Sequence, residues 1–238
     1  MDKKGVLRDL RKLPSDGYVV FPLSMSRISN AQNPEECYKW LEFLEKKIEV
    51  LGLDAIFLYT NGLYYNDEDP ALEVRKKTNG QMISHSNAVR KLVIKNRKYM
   101  PQAIHFVPWD YIILNSPNFQ TYYELLRKLD REDKEFHKLV LEVLKDRKES
   151  EANVAFILEE IVVTHLIRQR EIEFPKALVK KDNFRLIAYP GPPLKADIYQ
   201  WKKKVLPRTE KDLKENPFYA SHYDLDKKVI YNFDELGE

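Results

Sequence analysis

The stretch Gly17-Tyr18-Val19-Val20-Phe21-Pro22-Leu23, followed by the polar run Ser24-Met25-Ser26-Arg27, decides the fold class of this 238-residue chain. It reads as a short buried strand that ends abruptly in a polar turn. Downstream, Asn33 to Leu51 has helical periodicity, with Pro34, Glu35 and Glu36 in a first turn that suits the positive end of the helix dipole. Asp54 to Thr60 (DAIFLYT) is a second apolar strand. Strand, helix and strand at these spacings make a βαβ unit. The sequence therefore predicts an α/β fold with a central, mainly parallel sheet flanked by helices.

Outward from this unit, Asn61 to Pro70 reads as a polar turn region and Ser86 to Tyr99 as a basic helix. Ala103 to Val107 is a third strand. Two charged helices follow, Phe119 to Leu129 and Glu132 to Lys145, and then a far more apolar one, Glu151 to Gln169. Asn183 to Tyr189 reads as a strand, stopped by Pro190-Gly191-Pro192-Pro193. From Leu206 the chain is charged and irregular, with one last strand at Val229 to Phe233. The length suits one large domain over residues 1–238, without internal repeats or a low-complexity linker.

Hydrophobic residues make up 43% of the chain, enough for a buried core. No apolar run approaches the length needed to span a bilayer, and Met1-Asp2-Lys3-Lys4 leads into polar sequence, not a signal peptide. Cys37 is the only cysteine, which excludes a disulfide framework and a thiolate metal cluster. A cytoplasmic protein without a metal or other cofactor is expected. The net charge of +3 says little, but its distribution says more. Between Glu73 and Asp110 there is no acidic residue, whereas Arg75, Lys76, Lys77, Arg90, Lys91, Lys95, Arg97 and Lys98 all fall there. On the predicted basic helix Val89, Leu92, Val93 and Met100 form an apolar stripe, and the cations from Arg90 onward spread over the opposite side. Such a face is either a solvated surface or a phosphate-binding one. The absence of glutamates for i,i+4 pairing favours phosphate.

Ligands of open parallel sheets bind beyond the carboxyl ends of the strands. Ser24 follows the first strand, Tyr59 closes the second and Tyr189 closes the late one, so three hydroxyl side chains are expected to converge on one crevice. A serine in this position either satisfies turn backbone or acts as a nucleophile. On the apolar helix Phe156, Glu160, Val163 and Ile167 share one face. Glu160 is then a structural ion-pair partner, or a carboxylate facing the crevice to receive an ammonium or pass a proton. Glu159, about 100° away on the wheel, is a second acidic wall or an exposed charge. His85, His105, His137, His165 and His222 show no metal spacing. A Gly-x-Ser-x-Gly elbow, a P-loop and a Gly-x-Gly-x-x-Gly turn are all missing.

Taken together, the chain from about Tyr18 to Pro207 resembles the cyclodipeptide synthases. Four pieces carry the likeness. Val20-Phe21-Pro22-Leu23-Ser24-Met25-Ser26-Arg27 resembles the segment of the family's nucleophilic serine. Val89-Arg90-Lys91 with Lys95-Asn96-Arg97-Lys98 is similar to its basic tRNA-docking helix, and Phe156-Ile157-Leu158-Glu159-Glu160 to its Tyr-x-x-x-Glu helix. Tyr189-Pro190, with Arg27 as the non-asparagine earlier position, resembles the XYP subfamily. Two residues depart from the pattern: Phe156 stands in place of a tyrosine that helps hold the substrate amino group, and Pro22 in place of the usual glycine.

The resemblance implies a single Rossmann-like domain similar to the catalytic core of class I aminoacyl-tRNA synthetases, with residues 208–238 as a charged tail. It implies an ATP-independent aminoacyltransferase that joins two aminoacyl groups, delivered by two aminoacyl-tRNAs, into a diketopiperazine. Ser24 would be acylated, Glu160 would bind the first ammonium and relay its proton, and Tyr189 would orient the aminoacyl group. Val20, Ile56, Val163 and Ile187 would wall the first side-chain pocket, near Pro22, Arg27, Tyr59 and Phe156, and Glu159 would add acidity for a polar or cationic substrate. Arg90, Lys91, Lys95, Arg97 and Lys98 would dock tRNA phosphates. Two rivals remain at this level: a serine hydrolase using His105 or His165, and a non-catalytic tRNA-binding module.

Overall fold

The computed structural model describes residues 13–28, 30–42, 44–45, 47–60, 72–96, 103–144, 150–208, 218 and 220–236. One α/β domain results, built on a six-stranded sheet. Its strands are β1 (Gly17–Leu23), β2 (Leu53–Tyr59), β3 (Ile104–Pro108), β4 (Phe184–Tyr189), β5 (Ser221–Asp224) and β6 (Val229–Asn232). They lie in the order β3-β2-β1-β4-β5-β6, parallel except for the last pair. The central strands are buried on both faces, as their unbroken apolar runs require. Gly17 is needed there because a Cβ would overlap the ring and backbone of Phe184 on the neighbouring strand.

The two faces of the sheet carry separate cores. Tyr18, Val20, Ile56, Leu58 and Ile187 face α5 (Phe119–Glu132), α6 (Lys134–Leu144) and α7 (Glu151–Arg168). Val19, Phe21, Ala55, Phe57 and Leu186 face the other way, toward α1 (Pro34–Trp40) and α3 (Leu72–Asn96). The parity of each strand position thus assigns every side chain to one layer.

Several elements differ from the sequence reading. The helix expected over Asn33 to Leu51 is split into α1 and a single turn, α2 (Ile48–Leu51). Between them the backbone winds with i→i−3 bonds such as Leu44 N–H to Leu41 O, which keeps Leu41 and Leu44, three apart, on the buried side. The basic helix starts at Leu72 rather than Ser86, because burial of His85 and Val89 carries it through the weak formers Thr78, Asn79 and Gly80. Two short helices were not anticipated: α4 (Trp109–Asn115) and α8 (Lys195–Lys202). In the charged tail the expected strand at Val229 to Phe233 is present as β6, and an unexpected one, β5, joins it to β4 and extends the sheet. Ser221-His222-Tyr223-Asp224 shows no run of apolar residues because only Tyr223 enters the core, whereas His222 and Asp224 bond the backbone of Gly191.

Candidate active site at the β1–β4 switch point

Chain connections leave β1 toward β2 on one side and reach β4 on the other, so the strand order reverses between β1 and β4. The crevice at such a reversal is where open α/β sheets bind ligands. Pro22 opens it. Leu23 O accepts Thr60 N–H from the β2 side, so alternation turns the Pro22 backbone toward β4. Proline has no donor to offer there, and the β1–β4 ladder stops at Val20 opposite Ile187 while β1–β2 pairing runs on to Leu23.

Ser24 sits at the lip of this gap in extended conformation (φ −80°, ψ 122°), leading into a 3-10 turn over Met25–Arg27 that its side chain does not cap. Other side chains hold the turn. Thr60 Oγ1 donates to Leu23 O at 2.9 Å and accepts Met25 N–H at 3.3 Å. Gln32 Oε1 accepts Ser24 N–H at 2.7 Å, and Gln32 Nε2 donates to the Tyr189 hydroxyl at 3.1 Å. One buried amide therefore ties the end of β1 to the end of β4. Arg27 Nη1 donates to the same hydroxyl at 3.3 Å. Burial, and secondly the Glu160 carboxylate, push the Tyr189 hydroxyl above its ordinary pKa, so it stays protonated at neutral pH.

Gln32 is itself positioned from the opposite face of the sheet. Its carbonyl accepts from His85 Nε2 at 2.8 Å and from Cys37 Sγ at 3.3 Å. A carbonyl can only accept, so His85 Nε2 carries the proton and Nδ1 accepts from the Tyr59 hydroxyl at 2.8 Å. Burial lowers the His85 pKa, which keeps this tautomer neutral. Tyr59 consequently does not join Ser24 and Tyr189 in the crevice. It pairs in register with Leu23 and shares the α1–α3 face with Phe57, and its hydroxyl supports Gln32 from behind. Gln32 escaped the sequence reading because a lone glutamine ahead of a helix cap carries no pattern.

The crevice, about 60 Å³ in volume, is bounded by Pro22, Ile187 and Tyr189 from the sheet. Glu160, Thr164 and Arg168 enter it from one face of α7, at i, i+4 and i+8. Pro192 to Leu194, Asp197 of α8 and His222 of β5 close the far side. Gly191, at φ +100°, shapes that loop: its N–H donates to Asp224 Oδ1 at 3.1 Å and its carbonyl accepts from His222 Nε2 at 2.9 Å.

Pro22, Glu160, Ile187 and Tyr189 of the expected site thus bound the crevice, Ser24 is tied to Tyr189 through Gln32, and Arg27 bonds Tyr189 directly. Val20, Ile56 and Val163 are fully buried in the α5–α7 core and do not bound the crevice. Phe156 is half-buried at the margin of the same core, four residues before Glu160. Glu159 is neither an acidic wall nor exposed: it is 0% exposed, and burial raises its carboxyl to about 9. Its rotation on α7 turns it toward Tyr123 of α5. On α3 Arg90 lies over the Phe106 ring at 4.7 Å, and Lys91 and Lys95 are exposed beside it. Arg97 and Lys98 lie outside the described residues, as does Met100 of the expected stripe. Leu92 of that stripe is only half-buried.

His105 and His165, the bases a hydrolase would need, serve elsewhere. His105 Nε2 bonds Asp54 Oδ2 at 2.7 Å, in register with Ile56 and so roughly 10 Å below the strand ends. His165 Nε2 donates to Pro207 O at 2.7 Å, and burial lowers its pKa to about 3. Among the described residues, no group of three or more His, Cys, Asp or Glu could hold a metal ion, and no helix is long and apolar enough to cross a membrane.

No family model matches the chain, and no curated protein matches it in sequence. Solved structures do resemble it in fold. A cyclodipeptide synthase (CDPS) from Fluoribacter dumoffii superposes with a TM-score of 0.52 at 13% identity, over 84% of this chain and 86% of that one. A cyclodipeptide synthase from Bacillus thermoamylovorans gives 0.52 at 12% identity, over 83% and 85%. A Mycobacterium tuberculosis protein, described as demonstrating that cyclodipeptide synthetases are related to type I tRNA synthetases, gives 0.50 at 13%, over 76% and 77%. At these identities the likeness is one of fold.

Proposed function

We propose that this chain is a tRNA-dependent cyclodipeptide synthase of the XYP type, which acylates Ser24 from one aminoacyl-tRNA and releases a diketopiperazine after reaction with a second. The observation that carries the reading is the Ser24–Gln32–Tyr189 connection across the switch point, beside Glu160. The likeness in fold to cyclodipeptide synthases supports it. An aminoacyl ester is already activated, so transfer to the Ser24 hydroxyl needs no ATP. In the first step the Ser24 Oγ–acyl bond forms, the acyl–ribose bond breaks, and the serine proton leaves with the ribose oxygen. The amine of this Ser24-bound aminoacyl group then attacks the ester of the second aminoacyl-tRNA: the peptide bond forms, the second acyl–ribose bond breaks and releases that tRNA, and the Ser24 ester stays intact in the resulting dipeptidyl-enzyme. Finally the dipeptide's own amine closes on the same ester, breaking the Ser24 bond.

Glu160 at the crevice would hold the first ammonium and take its proton when that nitrogen becomes the nucleophile. Tyr189, protonated and fixed by two donors, would orient the acyl group. The basic face of α3 would dock the tRNA backbone without reading sequence. Phe156 removes the tyrosine hydroxyl expected beside the ammonium. Glu160 then acts with Tyr189 and Thr164 as the nearest crevice hydroxyls. Purified protein mixed with aminoacyl-tRNA carrying a labelled amino acid should gain the mass of one aminoacyl group, and Ser24→Ala should gain none. Equal labelling of both proteins would refute the reading, and tRNA binding indifferent to aminoacylation would favour a non-catalytic module.

A further inference from the structure

We infer that Arg27 binds the phosphodiester next to the acylated sugar of the donor, so that Ser24 is matched to the ester of a nucleotide. The inference rests on the synthase reading above and adds how the acylated end of the donor is recognised.

The turn after β1 fixes the place of this cation. Arg27 N–H donates to Ser24 O at 2.9 Å, so a single 3-10 turn separates the nucleophile from the guanidinium. The Arg27 carbonyl accepts Asn30 N–H at 3.1 Å and Gln32 N–H at 3.0 Å. At the other end of the side chain, Nη1 donates to the Tyr189 hydroxyl at 3.3 Å. That hydroxyl bounds the crevice and is tied to Ser24 through Gln32. A long flexible side chain is thus held at both ends beside the crevice mouth, and less ordering is left for a ligand to impose.

Its partner sets Arg27 apart. Arg127, Arg168, Arg185 and Arg208 each face a carboxylate within 3.5 Å. Arg27 is exposed, and among the described residues its guanidinium makes the one hydrogen bond to Tyr189 and no ion pair. A neutral hydroxyl cancels no charge, and four of the five N–H donors of the fork remain for an anion. The donor's own carboxyl is consumed in its ester, so the anions common to every charged tRNA are its phosphates. A phosphodiester presents two oxygens in the geometry that a guanidinium matches.

The order of charges agrees. Glu160 lines the crevice, and Arg27 reaches the same Tyr189 hydroxyl from outside the crevice lining. An aminoacyl end entering from solvent leads with its α-ammonium and trails its phosphate, with the ester that Ser24 attacks between them. The turn also packs against α3, the helix that would dock the rest of the tRNA backbone.

The experiment compares two charged tRNAs alike except at the last internucleotide linkage, a phosphodiester in one and a neutral methylphosphonate in the other. The amino acid is the one that labels Ser24 fastest. Second-order rates of labelling by the native, full-length protein are read by intact mass at limiting tRNA. The phosphodiester should react about tenfold faster, and the advantage should shrink as salt is raised. Arg27→Met should bring the two rates within about twofold of each other, and Arg27→Lys should keep part of the preference. Circular dichroism melts check that both variants fold, and the native comparison stands without them. Equal rates for the native protein overturn the inference. So does a folded Arg27→Met variant that slows both donors by one factor, the result expected if Arg27 only steadies Tyr189. Either leaves the synthase reading standing. Absence of a Ser24 adduct with every natural charged tRNA sinks that reading, and this inference with it.

Discussion

A single amide, Gln32, fixes the distance between the two residues on which the proposed chemistry depends. It is 1% exposed and uses both ends of its side chain and its own carbonyl. Gln32→Leu leaves the Ser24 N–H and the Tyr189 hydroxyl without this partner. The serine should then be acylated about 10- to 100-fold more slowly, because small misplacement of a reacting group is expensive. tRNA affinity should hold within about twofold, so single-turnover labelling and filter binding separate positioning from docking. Glu159 makes the opposite case, a buried acid outside the crevice. In the unfolded chain its proton leaves in the usual carboxylate range, whereas in the folded protein it stays until about pH 9. Between those values folding takes up a proton, so Glu159 makes stability fall as pH rises. Glu159→Gln should abolish that component and raise the melting temperature at pH 8.5 by about 5 °C, with little change at pH 4.5. Equal melts at both values would show that the carboxyl is not held neutral. Glu159 and Glu160 are adjacent in sequence and alike in chemistry. Only the direction of the α7 face, set by packing against α5, separates core acid from crevice acid.

At the scale of elements, α3 combines charge that is all positive after Glu73 with a packed apolar stripe, Val89 and Val93. Its cations are not equivalent. Lys91 and Lys95 are solvated, whereas Arg90 is stacked on Phe106 of the edge strand β3. Replacing Lys91 and Lys95 by Ala should reduce the salt dependence of tRNA binding by a log–log slope of about 1 each, with unchanged product identity. Arg90→Ala should also lower stability, by about 0.5–1 kcal/mol, through the lost cation–π contact. A chemical melt beside the binding titration checks both effects. The basic character of this helix was legible because an acid-free run needs no tertiary knowledge. Its true start at Leu72 was not, because burial of His85 outweighs the weak propensity of Thr78 to Gly80. The split of α1 from α2 was hidden for a related reason: apolar residues spaced by three and by four look alike until one winding is seen to bury them.

For the whole molecule, the largest departure from expectation is β5, which pairs with the expected strand β6 to form a C-terminal hairpin. β5 and β6 protect the edge of β4, His222 and Asp224 hold the Gly191 loop, and Phe233 covers both Arg168 and Trp201. A chain ending at Arg208 would leave β4 as an open edge and Arg168 without its aromatic cover. Such a truncation should fall to insoluble material or melt more than about 10 °C lower, read by soluble yield and circular dichroism. A truncated protein that melts like the full chain would show that the hairpin is an appendage.

By itself the sequence determined the layered α/β architecture, five of the six strands, the acidic helix face bearing Glu160, and the placement of Ser24 and Tyr189 at strand ends. All of these follow from local apolar runs and their periodicity, which physics reads along the chain. Only the tertiary structure decided that Tyr59 faces away from the crevice, that Glu159 is core, that Gln32 bridges β1 to β4, and that the tail completes the sheet. Each of those depends on which residues far apart in sequence become neighbours. Strand register, helix rotation and sheet order set those neighbours, and a one-residue change in any of them would turn a different side chain into the site.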